Sequence, residues 1–174
     1  HHRPFSMRIY VTESEHLNKL FVDFSCWLKN HPVLASVIIL SCALSLRMIF
    51  VYRAAPSQLL FPDSGTYLDP ALSLRESGSF LNKYQTPEVT RTPGYPLFLA
   101  ALMTWFGTEL RTVLFVQAVI VSASVVVIYC LARHVLPPMM AFTGGLLAGL
   151  SPWASARAGF LLSDGVFLLV LSVL

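Results

Sequence analysis

The chain has 174 residues, of which 55% are hydrophobic and 12% charged, with a mean hydropathy of +0.65. That balance lies outside the range of soluble domains and points to a protein of the lipid bilayer. A formal charge of +3 carried by scattered Lys and Arg argues against nucleic acid as a partner, and Cys26, Cys42 and Cys130 have the spacing of neither a disulfide framework nor a metal site, so they read as packing residues.

Residues 1–31 read as a cytoplasmic or interfacial segment and residues 32–174 as a membrane module. From Leu17 the apolar positions Leu17, Leu20, Phe21, Phe24, Trp27 and Leu28 keep helical spacing opposite Asn18, Lys19, Asp23 and Ser25. Such a helix either lies on the membrane or packs on the rest of the protein. His31-Pro32 marks a helix start, and residues 33–53 form the first expected span, stopped by Pro56. Arg47 lies near its far end, where a long side chain snorkels to the headgroups.

Residues 54–111 read as one long loop holding short helices against the bilayer. Asp69-Pro70 and Gly78 bracket one of them; alternatively it begins at Asp63 and bends at Pro70, which puts Tyr67 one turn from Asp63. Tyr95 to Phe106 is uncharged but only about a dozen residues long, the length of a re-entrant or surface segment rather than a crossing. Thr112 to Ala132 carries no charge and is long enough to cross, giving the second span. Residues 138–157 are expected to form the third, with Gly144, Gly145, Ala148 and Gly149 letting neighbouring helices approach closely. A fourth begins at 165 and is cut at Leu174, which implies a longer protein.

Arg3, Arg8, Lys19 and Lys29 precede the first span and Arg133 follows the second, an arrangement that favours a cytoplasmic amino terminus. Arg53, Arg75, Lys83, Arg91, Arg111 and Arg157 then fall on the opposite side, against a simple positive-inside count. Long loops obey that count poorly, and an anionic ligand such as a phosphate would hold basic residues there.

Two acids stand at the mouths of apolar helices: Asp63 in Phe61-Pro-Asp-Ser-Gly-Thr-Tyr67, and Asp164 in Leu161-Leu-Ser-Asp-Gly165. A carboxylate beside hydrocarbon loses hydration that partners must restore, so such positions suggest chemistry. Each acid has a plainer role as the cap of the helix after it. Shared chemistry requires both on one face, hence a Tyr95–Phe106 segment that does not cross. Glu88 and Glu109 read as solvated loop charges.

The order of a span, Asp63-x-x-x-Tyr67, Leu74-Arg-Glu-Ser-Gly78 and Arg91-Thr-Pro-Gly-Tyr-Pro96 before a short apolar run resembles the amino-terminal third of GT-C class membrane glycosyltransferases. The protein O-mannosyltransferase and lipid A aminoarabinose transferase families are closest in appearance. Ser64 stands where the O-mannosyltransferases carry a second acid, and Arg91 where the aminoarabinose transferases commonly have Lys. The resemblance covers about residues 33 to 174. It implies an all-α, polytopic transmembrane bundle with amphipathic helices in a long first extracytoplasmic loop, in a bacterial plasma membrane rather than the endoplasmic reticulum.

The implied reaction moves a sugar from a polyprenyl-phosphate donor to an acceptor lipid, glycan or protein on the extracytoplasmic face, with inversion. Asp63 is the expected base and Asp164 a second catalytic acid. Arg91, with Lys83 and Arg157 behind it, would bind the donor phosphate. A divalent metal, Mg or Mn, shared by Asp63 and Asp164 is the one cofactor implied. Arg91 equally suits a headgroup anchor. The rival readings are a piece of a transporter or permease, or a non-catalytic membrane scaffold.

Overall fold

The computed structural model describes residues 5–53 and 64–157. They form seven helices: α1 (Phe5–Asn30), α2 (Pro32–Arg53), α3 (Ser64–Ser77), α4 (Gly94–Phe106), α5 (Leu110–Val135), α6 (Pro138–Gly149) and α7 (Pro152–Arg157). The described fold is all-α; its one β feature is the isolated antiparallel bridge between Leu81 and Pro87. Two helices, α2 and α5, are long and apolar enough to cross a membrane. At about 1.5 Å per residue each exceeds the roughly 30 Å of hydrocarbon.

Two separate apolar clusters fix how the helices lie. At one end, Leu28 of α1, Ala35 and Ile39 of α2, Val125 and Tyr129 of α5, and Ala141 and Phe142 of α6 are buried together. At the other, Val51 of α2 and Val113, Leu114 and Ala118 of α5 join Ala71 of α3 and Tyr95, Leu99 and Met103 of α4. The start of α2 therefore meets the end of α5 and the reverse, so the pair is antiparallel. Both α3 and α4 gather where α2 ends and α5 begins. The buried partners of α4 on α5 come from its first turns.

The amphipathic stripe of α1 divides. Its last turn packs inward, with Leu28 fully buried, Phe24 stacked on Trp27 and Phe24 edge-on to Phe142. Leu17, Leu20 and Phe21 remain more than half exposed. The end of the helix therefore follows the alternative in which it packs on the rest of the protein. Only His31 separates α1 from α2, and Pro32 suits the first position of α2 because an N–H there would have no intrahelical partner.

The expected third span is not one helix. It is broken into α6, with 12 residues, and α7, with 6, so neither piece alone reaches across the hydrocarbon. The physical reason is local: the Ser151 hydroxyl accepts from the Ala154 N–H and Pro152 follows as the first helical residue, a new start inside an apolar run. Small residues do bring α6 against the bundle. A Cβ added to Gly149 would come within 3.1 Å of Ala43 Cβ, and one on Gly145 within 2.9 Å of Ile39 Cδ1, whereas Gly144 faces open space. These contacts run in step along α2 and α6, which are therefore parallel.

Arg47 departs from the snorkelling expectation. It is 1% exposed, and its Nη1 donates to the carbonyls of Ala43 at 3.0 Å and Gly149 at 3.2 Å. The break after α6 leaves carbonyls without helical donors at its negative dipole end, and the guanidinium supplies a donor to one of them. Its Nε has no partner among the described residues. The cysteines are free thiols, but Cys26 and Cys130 are exposed, so only Cys42 fits the packing role assigned to all three.

Candidate functional site

The loop between α2 and α5 is built on α3, which starts at Ser64 and carries Pro70 within it, the longer of the two alternatives. Pro70 is tolerated inside a helix only at the cost of the hydrogen bond that its N–H would have given to the Thr66 carbonyl. The helix ends where Gly78 takes φ of 69°, a left-handed conformation that a Cβ disfavours, and its N–H bonds to the Leu74 carbonyl. Asp63 immediately precedes α3 in sequence. Both Asp63 and Asp164 lie outside the described residues, as does the expected span from 165.

From Phe80 to Thr90 the chain forms a short hairpin around the Leu81–Pro87 bridge. Asn82 organises it: its Oδ1 accepts from the N–H groups of Tyr84 at 2.9 Å and Thr86 at 3.2 Å and from the Thr86 hydroxyl at 3.0 Å. Glu88 is more than a solvated charge. Its Oε1 accepts from the Thr90 N–H at 2.7 Å and from the Thr90 hydroxyl, and these bonds hold its carboxyl below the usual carboxylate range. Glu109 stands at the start of α5 and accepts from the Thr112 hydroxyl at 3.2 Å.

Arg91 returns from this hairpin onto the first turn of α3. Its Nε donates to the Thr66 hydroxyl at 2.9 Å, its Nη1 reaches the Tyr67 hydroxyl at 3.4 Å, and the guanidinium lies 4.8 Å over the Tyr67 ring. A cation over an aromatic face gains from the ring quadrupole. Tyr67 in turn meets Tyr95 edge-on at 5.1 Å, and the Tyr95 hydroxyl donates to Gln117 Oε1 at 2.8 Å. A polar and aromatic chain thus links Arg91 to α5. Sequence reasoning missed Thr66, Tyr95 and Gln117; a glutamine inside an otherwise apolar span was the available signal, since such a group needs a partner.

Lys83 projects from the hairpin with its ammonium 4.8 Å from the Tyr84 ring centre and lines a cavity that also has Thr66 in its wall. Thr66, which accepts from Arg91, thus lines the same cavity as Lys83. Arg157 ends α7, whose neighbours are α2 and α6. As for the implied Mg or Mn, no group of three or more His, Cys, Asp or Glu suited to a metal occurs among the described residues.

Comparisons with protein-family models, with curated proteins and with solved structures found no match.

Proposed function

We propose that this chain is the amino-terminal part of a membrane glycosyltransferase of GT-C type that transfers a sugar from a polyprenyl-phosphate donor to an acceptor at the extracytoplasmic face. The observation that carries the reading is the seating of Arg91 on Thr66 and Tyr67, one turn beyond Asp63 in sequence. A hydroxyl acceptor needs a base to take its proton, and a carboxylate at a membrane surface suits that task. Asp63 takes this role. The departing lipid phosphate gains negative charge as the glycosidic bond breaks, and a fixed guanidinium stabilises it through paired hydrogen bonds. Arg91 takes that one, with Lys83 and Arg157 as weaker ligands.

The course of the chain supports a single working end. The loop that holds α3 and α4 gathers where α2 ends, and α6, parallel to α2, leads back toward that end before the chain reaches Asp164. Asp164 then serves to orient the acceptor. The exposed Leu17, Leu20 and Phe21 of α1 suit a lipid surface. No step is assigned to a metal.

In the full-length protein, Asp63→Asn keeps the side-chain shape and removes the base, so transfer from a polyprenyl-phosphate sugar should fall by roughly 100-fold or more. Near-wild-type transfer would eliminate the mechanism.

One observation favours a second reading. A buried Arg47 beside a broken helix is the pattern of a transporter, where discontinuous helices and intramembrane charge mark the path of a solute. Uptake into vesicles that is lost in Arg47→Met, with sugar transfer absent from the wild type, would establish it instead.

A further inference from the structure

Beside Arg91, between the first two turns of α3 and the hairpin, lies a cavity of about 320 Å³. Its polar lining includes Thr66 and Asp69 from the helix and Asn82, Lys83 and Glu88 from the hairpin, and Tyr84 contributes an aromatic wall. The hairpin side is held in shape before any ligand arrives. Asn82 commits its Oδ1 to three hydrogen bonds, which fixes the amide and leaves the Nδ2 group with no partner among the described residues. Glu88 is tied through Oε1 to Thr90. The Asp69 carboxylate also has no partner among the described residues.

The balance of these groups selects the ligand class. Two carboxylates stand against one ammonium in the lining, so a phosphate placed here would meet two like charges and a bare cation would meet Lys83. A neutral molecule bearing several hydroxyls suits both kinds of group, because each hydroxyl donates to a carboxylate and accepts from an amide or ammonium. The volume lies at the small end of ligand cavities, about 300 to 1,000 Å³, and so suits one ring rather than a chain of them. Thr66 belongs to this lining and also accepts from Arg91, which sets a phosphate ligand directly beside the hydroxyl-binding groups.

We propose that this cavity is a monosaccharide subsite in which Asp69, Asn82 and Glu88 bind the hydroxyls of one sugar ring. It deepens the transferase reading and rests on it for the origin of the sugar, which is either the donor's own ring or the terminal ring of an acceptor glycan.

The test uses the full-length protein in nanodiscs and saturation-transfer NMR with three probes: a short-chain polyprenyl-phosphate mannose, the same lipid phosphate without sugar, and methyl glycosides of mannose and glucose. Sugar-ring signals are expected with the phosphomannolipid if the site takes the donor ring, or with the methyl glycosides if it takes the acceptor's. In either case Asp69→Asn should weaken sugar binding about tenfold, and Asn82→Asp, which keeps the acceptor oxygen of the hairpin and removes the amide donor, should do likewise. Unchanged thermal midpoints confirm that both variants fold. Absence of sugar signals from the wild type, or sugar binding that both variants leave intact, overturns the proposal.

The two readings fail separately. Methyl glycosides that bind through Asp69 to a protein without transfer activity would keep the cavity and remove the transferase. Transfer that proceeds with the sugar KM unchanged in both variants would do the opposite.

Discussion

The two ends of the α2–α5 pair are held together by different physics. Where α1, α6 and the start of α2 meet, the contact is apolar and close, with Gly145 and Gly149 bringing the α6 backbone onto Ile39, Ala43 and Tyr129. Where α3 and α4 gather, polar and aromatic bridges supplement the apolar core, running from Arg91 through Tyr67 and Tyr95 to Gln117. The first arrangement tolerates almost no change of volume and the second almost no change of polar partner. An end fastened by polar groups is also the end at which a polar ligand can be bound, because fixed donors and acceptors are already there.

Substitution at Arg47, which sits between the two ends, should give the largest stability effect. Arg47→Ala removes a long buried side chain and should destabilise by about 2 to 4 kcal/mol. Arg47→Met refills most of the volume without a buried charge and should cost under about 1.5 kcal/mol. Thermal or denaturant unfolding in detergent measures both; equal losses would show that the contact to the Gly149 carbonyl, and not the volume, is what matters. Next comes the glycine seam, where Gly149→Leu should cost about 1 to 3 kcal/mol against near-zero for Gly144→Leu, whose added atoms meet open space. A similar loss at both positions would contradict the close approach of α6 to α2.

The smallest effect is predicted at the polar end. Tyr95→Phe leaves the buried Gln117 carbonyl oxygen without its donor and should cost about 1 kcal/mol. The double variant Tyr95→Phe, Gln117→Leu should recover part of that loss, because the acceptor of the Tyr95 hydroxyl is then removed with it. Additive losses in this cycle would mean that the two residues act independently and that the bridge does not fasten α4 to α5.

Reading the sequence located α2 and α5 because hydrocarbon thickness translates directly into a count of uncharged residues. For the same reason it read α4 as a shorter apolar segment. The break between α6 and α7 was overlooked because Ser151 and Pro152 count as small or apolar in composition while acting as a helix start in geometry. Arg47 was misplaced because a side chain of its length can reach either headgroups or a neighbouring helix, and the choice depends on where α6 ends. At the site, charge alone marked Arg91 and Lys83. The partners of Arg91 lie 24 and 25 residues away in the chain, a separation at which no periodicity reports contact.

By itself, then, the order of residues determined that the chain is helical, membrane-compatible in two long stretches, and polar in the segment between them, since these follow from local hydropathy and the obligatory internal pairing of backbone groups in lipid. Tertiary structure alone decided which polar groups meet: Arg91 with α3, Tyr95 with Gln117, Arg47 with the end of α6, and the hairpin with Asp69 across a cavity. The physical reason is that a buried or tethered polar group needs a partner of specified position, and position is fixed only when helices distant in sequence have packed against one another.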